Sequence, residues 1–149
     1  MRIAIREAKH GIHHGHGGPF GAVIIKNNKL IAKGHNQVLI DNDSTHHGEI
    51  DVIRKAEHKL KTHDLSGCIL YTTGEPCPMC LSAALWANID KIYYGCSLKD
   101  NESIGFRDEK FDQMLGGRAK LPKKYLRQKD RKLCLKLFKE YKNTPKTIY

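Results

Sequence analysis

No run of about 20 apolar residues occurs anywhere in the 149-residue sequence, so no membrane-spanning helix is expected. The opening residues, Met1 to Glu7, mix charged and apolar side chains and lack the apolar stretch of a signal peptide, which predicts a cytoplasmic protein. Prolines number only five and 40% of residues are hydrophobic, a composition that excludes a disordered chain and predicts a globular one. Five cysteines, an odd count at irregular spacing, give no disulfide framework. Internal repeats and low-complexity tracts are absent. The length predicts one domain, 1–149, large enough to bury a single core.

Acidic side chains are scarce at the C-terminal end. Residues 1–115 carry 14 basic and 14 acidic side chains, whereas residues 116–149 carry 12 basic and 2 acidic, so the whole net charge of +10 lies in that basic, partly helical segment. Such a tail attracts polyanions, including nucleic acid. The simpler expectation is a solvated helix face or a surface meeting an acidic partner.

Hydrophobic periodicity places the elements. Ile3, Ile5, Ala8 and Ile12 predict a helix over 2–13, broken by Gly15, Gly17 and Gly18. Residues 20–25 and 30–32 predict a hairpin turning at Asn27-Asn28. Ser44 and Thr45 are candidate N-caps for a helix reaching Leu60, with Ile50, Ile53, Ala56 and Leu60 on its apolar stripe. Strands follow at 68–73 and 91–95 around a helix over 79–88, an alternation that implies parallel pairing in an α/β layered sheet. A last helix over 130–142 presents Leu133, Leu137, Phe138 and Tyr141. His10, His13, His14 and His16 can take up metal opportunistically, but three of them fall between glycines and are expected to be solvated.

The strongest signal is His47-Gly48-Glu49 followed by Pro76-Cys77-Pro78-Met79-Cys80. One histidine and two cysteines supply three zinc ligands and leave the fourth tetrahedral position for water. Glu49 is placed to reach that water rather than the metal. His47 begins one predicted helix, and Cys77 and Cys80 begin another. Both helix amino ends can therefore converge on one point, each bringing roughly half a positive charge. H-x-E alone carries little, and C-x-x-C alone also fits a redox pair or a zinc knuckle. Cys68 or Cys96 would be needed as a fourth ligand for a closed structural site. Order and spacing together are those of zinc-dependent nucleobase deaminases.

Residues 17–115 resemble the cytidine-deaminase-like superfamily, and within it the small bacterial guanine deaminases. The resemblance runs through 17–23, Gly34-His35-Asn36, 53–56, Glu75 to Cys80, Trp86-Ala87 and 104–108. It implies a three-layer α/β/α fold on a mixed sheet of about five strands, with one Zn2+ per subunit. Glu49 is then the proton shuttle in hydrolysis of guanine to xanthine and ammonia, and the Cys77 N–H an oxyanion donor. The resemblance also implies that Asn36 binds the purine, Phe20 and Trp86 line its pocket, and Asp108 reads the guanine N–H edge. Tyr149 covers the active site, in that family by exchange of C-terminal segments within a homodimer.

Gly48 departs from the alanine usual in the family; a lost methyl would widen the site beside the metal. His-Gly-Glu also occurs in fungal cytosine deaminases, which keeps cytosine and isocytosine as alternatives. Guanosine, and adenosine in tRNA, are others. Arg107 stands where the family commonly has an acid. The fifth strand is weakly written between 118 and 129. A zinc-stabilised interaction module is the non-enzymatic alternative.

Overall fold

Asn27 and Asn28, both in the left-handed region (φ 49° and 59°), reverse the chain in two residues. That turn suits the right-handed twist of the strands it joins, β1 (Gly21–Lys26) and β2 (Lys29–His35). The computed structural model describes residues 1–118, 121–122 and 124–144. Helix α1 (Arg2–His13) precedes the hairpin, and α2 (Val38–Asp41) and α3 (Gly48–Leu60) follow it. Next come β3 (Cys68–Gly74), α4 (Pro78–Trp86), β4 (Lys91–Cys96), α5 (Leu98–Glu102), α6 (Asp108–Met114), β5 (Leu126–Gln128) and α7 (Arg131–Lys142).

The sheet runs β2-β1-β3-β4-β5. β1 pairs antiparallel with β2 and β3, while β3–β4 and β4–β5 are parallel, so the five-stranded sheet is mixed, as expected. Ala22, Ile24, Leu70 and Ile92 pack on α3 and α4 through Val52, Ala56, Leu81 and Ala84. A second core joins Ala8 and Ile12 of α1 to Cys134, Leu137, Phe138 and Tyr141 of α7. Each fully buried Leu, Ile or Phe contributes about 1.5–3 kcal/mol. Two glycines admit helices to close range: a Cβ at Gly21 would lie 2.1 Å from the Ala4 carbonyl, and one at Gly95 2.1 Å from Cys134 Sγ.

Three local expectations change. Helix α3 is capped by His47, with no side-chain cap bond. Asp43 instead binds the N–H and hydroxyl of Thr45, tying both loop residues into a turn ahead of the helix. On α3, Val52 is fully buried, whereas Ile50 and Leu60 are only half-buried. On α7, Cys134 replaces Leu133 in the buried stripe, because 134, 137, 138 and 141 share one face and Leu133 lies beside it. No helix among the described residues is long and apolar enough to cross a membrane.

Candidate active site

Two helix starts meet beyond the β3 carboxyl end. His47 (φ −72°, ψ 158°) and Cys77 (φ −63°, ψ 167°) are extended caps of α3 and α4, and their carbonyls accept the first helical bonds from Asp51 and Leu81. Pro78 occupies the first helical position, where its missing N–H costs no bond. The geometry brings His47 Nδ1 to 3.6 Å from Cys77 Sγ and 3.5 Å from Cys80 Sγ.

The electrostatics match a metal-binding set. A hydrogen bond from Cys80, aided by His47, draws the Cys77 thiol down to about 4 despite its burial. Burial opposes the charged form of His47, but the Cys77 sulfur, with Glu49 behind it, raises it to about 8. Burial and the adjoining sulfur push Cys80 well up. One imidazole and two sulfurs within 4.8 Å of one another suit zinc and leave one tetrahedral position open. Neither Cys68 nor Cys96 joins this cluster.

Glu49, 4% exposed, lies one residue into α3 and accepts a 3.0 Å hydrogen bond from Thr72 Oγ1 on β3. Burial raises its carboxyl, against the pull of His47. A small cavity brings Glu49 and His47 together with Phe20, Asn36, Phe106 and Asp108. Asn36 follows β2, and its Oδ1 accepts from the N–H groups of Gly18 and Val38. Phe20 meets Phe106 edge to face, with ring centres 4.7 Å apart. Asp108 opens α6 and accepts a 2.9 Å bond from Asn101 Nδ2; burial and the Cys77 sulfur raise its carboxyl. An outer cleft of about 490 Å³ reaches the same His47, Cys77 and Asp108 past Met79, Phe111 and Met114.

Several residues of this wall were not legible beforehand. Asn101 is completely buried and also donates to the Glu75 carbonyl, so it ties Asp108 to the loop before Cys77. Arg118 donates to Glu75, Asp112 and the Pro76 carbonyl, clamping α6 to that loop. Thr72 is buried behind Glu49. Polar residues scattered over 47 positions carry no local pattern; only the alternation of β3 could have marked Thr72 as inward.

Two expectations for the pocket change. Trp86 is 85% exposed at the end of α4, beside His63 and Ser82, because Leu81 and Ala84 turn that helix's other face inward. Gly48 does not widen the cavity: a Cβ there would stand 2.8 Å from the Phe20 carbonyl, so neighbouring backbone already fills the space. Arg107 is exposed and lies over Phe111, 5.2 Å from its ring centre. Tyr149 lies outside the described residues.

Comparison with known proteins agrees with this geometry. Guanine deaminase of Bacillus subtilis (strain 168) is 45% identical over 108 residues, 72% of this chain and 69% of its own length. Its structure aligns with a TM-score of 0.74, at 36% identity, covering 99% of this chain and 94% of that one. A guanine deaminase structure from Nitrosomonas europaea aligns at a TM-score of 0.78, with 29% identity and coverage of 95% and 81%. A tRNA-specific adenosine deaminase from Buchnera aphidicola subsp. Schizaphis graminum (strain Sg) is 32% identical over 139 residues, 93% of this chain and 91% of its own. Residues 1–96 match the cytidine and deoxycytidylate deaminase zinc-binding region, and the chain belongs to that family of zinc-binding deaminases.

Proposed function

We propose that this chain hydrolyses guanine, with one water consumed per xanthine and ammonia formed. The observation that carries the reading is a second carboxylate, the half-buried Asp108, in the same cavity as Glu49, His47 and Cys77. A carboxylate accepts hydrogen bonds, so it suits the N–H edge of guanine better than the acceptor nitrogens of cytosine or adenine.

One zinc, held by His47, Cys77 and Cys80, supplies a Lewis acid able to lower the pKa of water from 15.7 to about 7. Glu49 takes one proton from water and returns it to a ring nitrogen; it then takes the second proton, from the hydroxyl added to carbon, and passes it to the departing amine. Its raised carboxyl suits a group that must both accept and return a proton. Thr72 fixes one Glu49 oxygen during these transfers. With Asn36 Oδ1 committed to backbone donors, its NH2 is the group it offers the base. Phe20 and Phe106 provide the apolar wall, and the Cys77 N–H is the donor for charge developing on oxygen. Two copies pair in this reading. Exposed Leu85 and Trp86 offer apolar surface for such a pair.

Ammonia release from guanine, cytosine, isocytosine, guanosine and tRNA tests the assignment. The highest kcat/KM for guanine, with xanthine as product, is expected; turnover of another substrate without guanine would overturn it. The positive segment favours tRNA adenosine as the second reading. That reading requires tRNA binding that weakens steeply with salt.

A further inference from the structure

His10 and His14 stand one helical turn apart at the end of α1, and two more imidazoles from distant chain positions join them. His16 lies in the following loop and His35 ends β2. The His35 ring centre is 5.4 Å from that of His10 and 5.2 Å from that of His16, and His10 lies 5.8 Å from His16. His13 turns away to Glu140. The expectation of four solvated histidines therefore fails for His16, which is half-buried and bonded through Nδ1 to His35 Nε2 at 2.9 Å.

We propose that His10, His14, His16 and His35 form a second metal site, for a divalent ion of the nickel or copper type. His35 is 8% exposed, and its ring lies against Gly11, where a Cβ would come 2.5 Å from Cδ2. Its Nδ1 faces Glu7 Oε2 at 3.9 Å, and Glu7 is held by Lys33 at 2.8 Å. Nδ1 makes no hydrogen bond at that distance, but the nearby carboxylate favours a proton there, which leaves Nε2 as the nitrogen turned toward His16. At a metal–nitrogen distance of about 2.1 Å, two ligands at a right angle stand about 3.0 Å apart and two at the tetrahedral angle about 3.4 Å. The 2.9 Å His16–His35 hydrogen bond holds the two nitrogens close enough for one ion to take both at about a right angle, as square-planar and octahedral ions do. Among the described residues only the His47 cluster already holds three ligand atoms within 4.8 Å, so this site begins with two preset ligands. His10 and His14 are exposed and have room to swing in. Burial, then the neighbouring imidazoles, lowers both His16 and His35, which keeps them neutral and able to ligate. A bound ion would tie the end of α1 to the strand end beside Asn36.

The test uses the zinc-loaded full chain without a histidine tag, titrated with Ni2+ alone, with nickel and zinc counted by elemental analysis after dialysis. One nickel per chain with zinc retained is expected, and the double variant His10→Gln/His16→Gln should bind it at least tenfold more weakly. Both substituted positions lie outside the buried core, and circular dichroism checks the fold. Nickel bound only by displacing zinc, or bound equally tightly by the double variant, would overturn the proposal.

Discussion

The two walls of the cavity are built differently. The metal-side wall consists of the starts of α3 and α4, helices of 13 and 9 residues that pack on the sheet through one continuous core. The facing wall is α5 and α6, of 5 and 7 residues, and α6 buries no residue. Polar contacts hold it: Asn101 on Asp108, and Arg118 on Glu75, Asp112 and the Pro76 carbonyl. The groups assigned to bond chemistry stand on the two long helices, and the group assigned to substrate choice stands on α6, which buries no residue and is held by a few hydrogen bonds. Segments with few buried apolar contacts open at lower cost.

The comparison breaks first at Glu49. Glu49→Gln should retain zinc and lose 10² to 10⁴ or more, roughly the scale of general acid–base catalysis; elemental analysis and kcat on guanine measure both. On the other wall, Asp108→Asn should spare zinc and cut kcat/KM for guanine by roughly 10- to 100-fold, the scale of one hydrogen bond to a charged group. Equal losses on guanine and on an analogue lacking the N–H edge would remove the division of labour. Gly48→Ala sharpens the contrast in packing, since its methyl must displace the Phe20 carbonyl. A destabilisation of about 1–3 kcal/mol is expected for such overpacking, read from denaturant unfolding. Asn101→Ala should cost about tenfold in KM with little change in kcat, because it loosens Asp108 without touching Glu49.

The smallest effect concerns pH. His16 and His35 are lowered in the folded chain, chiefly by burial, so the unfolded chain binds protons first as pH falls. Stability is therefore intact above the unfolded value of about 6.5 and declines between it and the lowered folded values. His16→Gln should flatten that decline in thermal unfolding followed from pH 8 to 5.

The metal-side wall was the legible one. His47, Glu49, Cys77 and Cys80 sit at fixed short spacings on two predicted helix starts, so local periodicity alone brought the cluster close. The strands, their parallel halves and the hairpin turn followed from alternation and from Asn27-Asn28. On the facing wall Asp108 was named through resemblance alone, whereas Asn101 and Arg118 were opaque because they reach it through tertiary folding, with no apolar pattern to announce them. Trp86 misled for a related reason: resemblance carried its identity, whereas the packing of Leu81 and Ala84 decides which way α4 turns. Gly48 misled because a missing methyl reads as empty space in a sequence, yet here the Phe20 backbone occupies it.

Xanthine formation from guanine by one preparation, measured zinc-loaded, stripped by a chelator and reloaded, examines the whole arrangement at once. Turnover that disappears with the metal and returns with one zinc per chain is the predicted result. Guanine turnover that persists in the stripped chain, or that never appears in the fully loaded one, would contradict it.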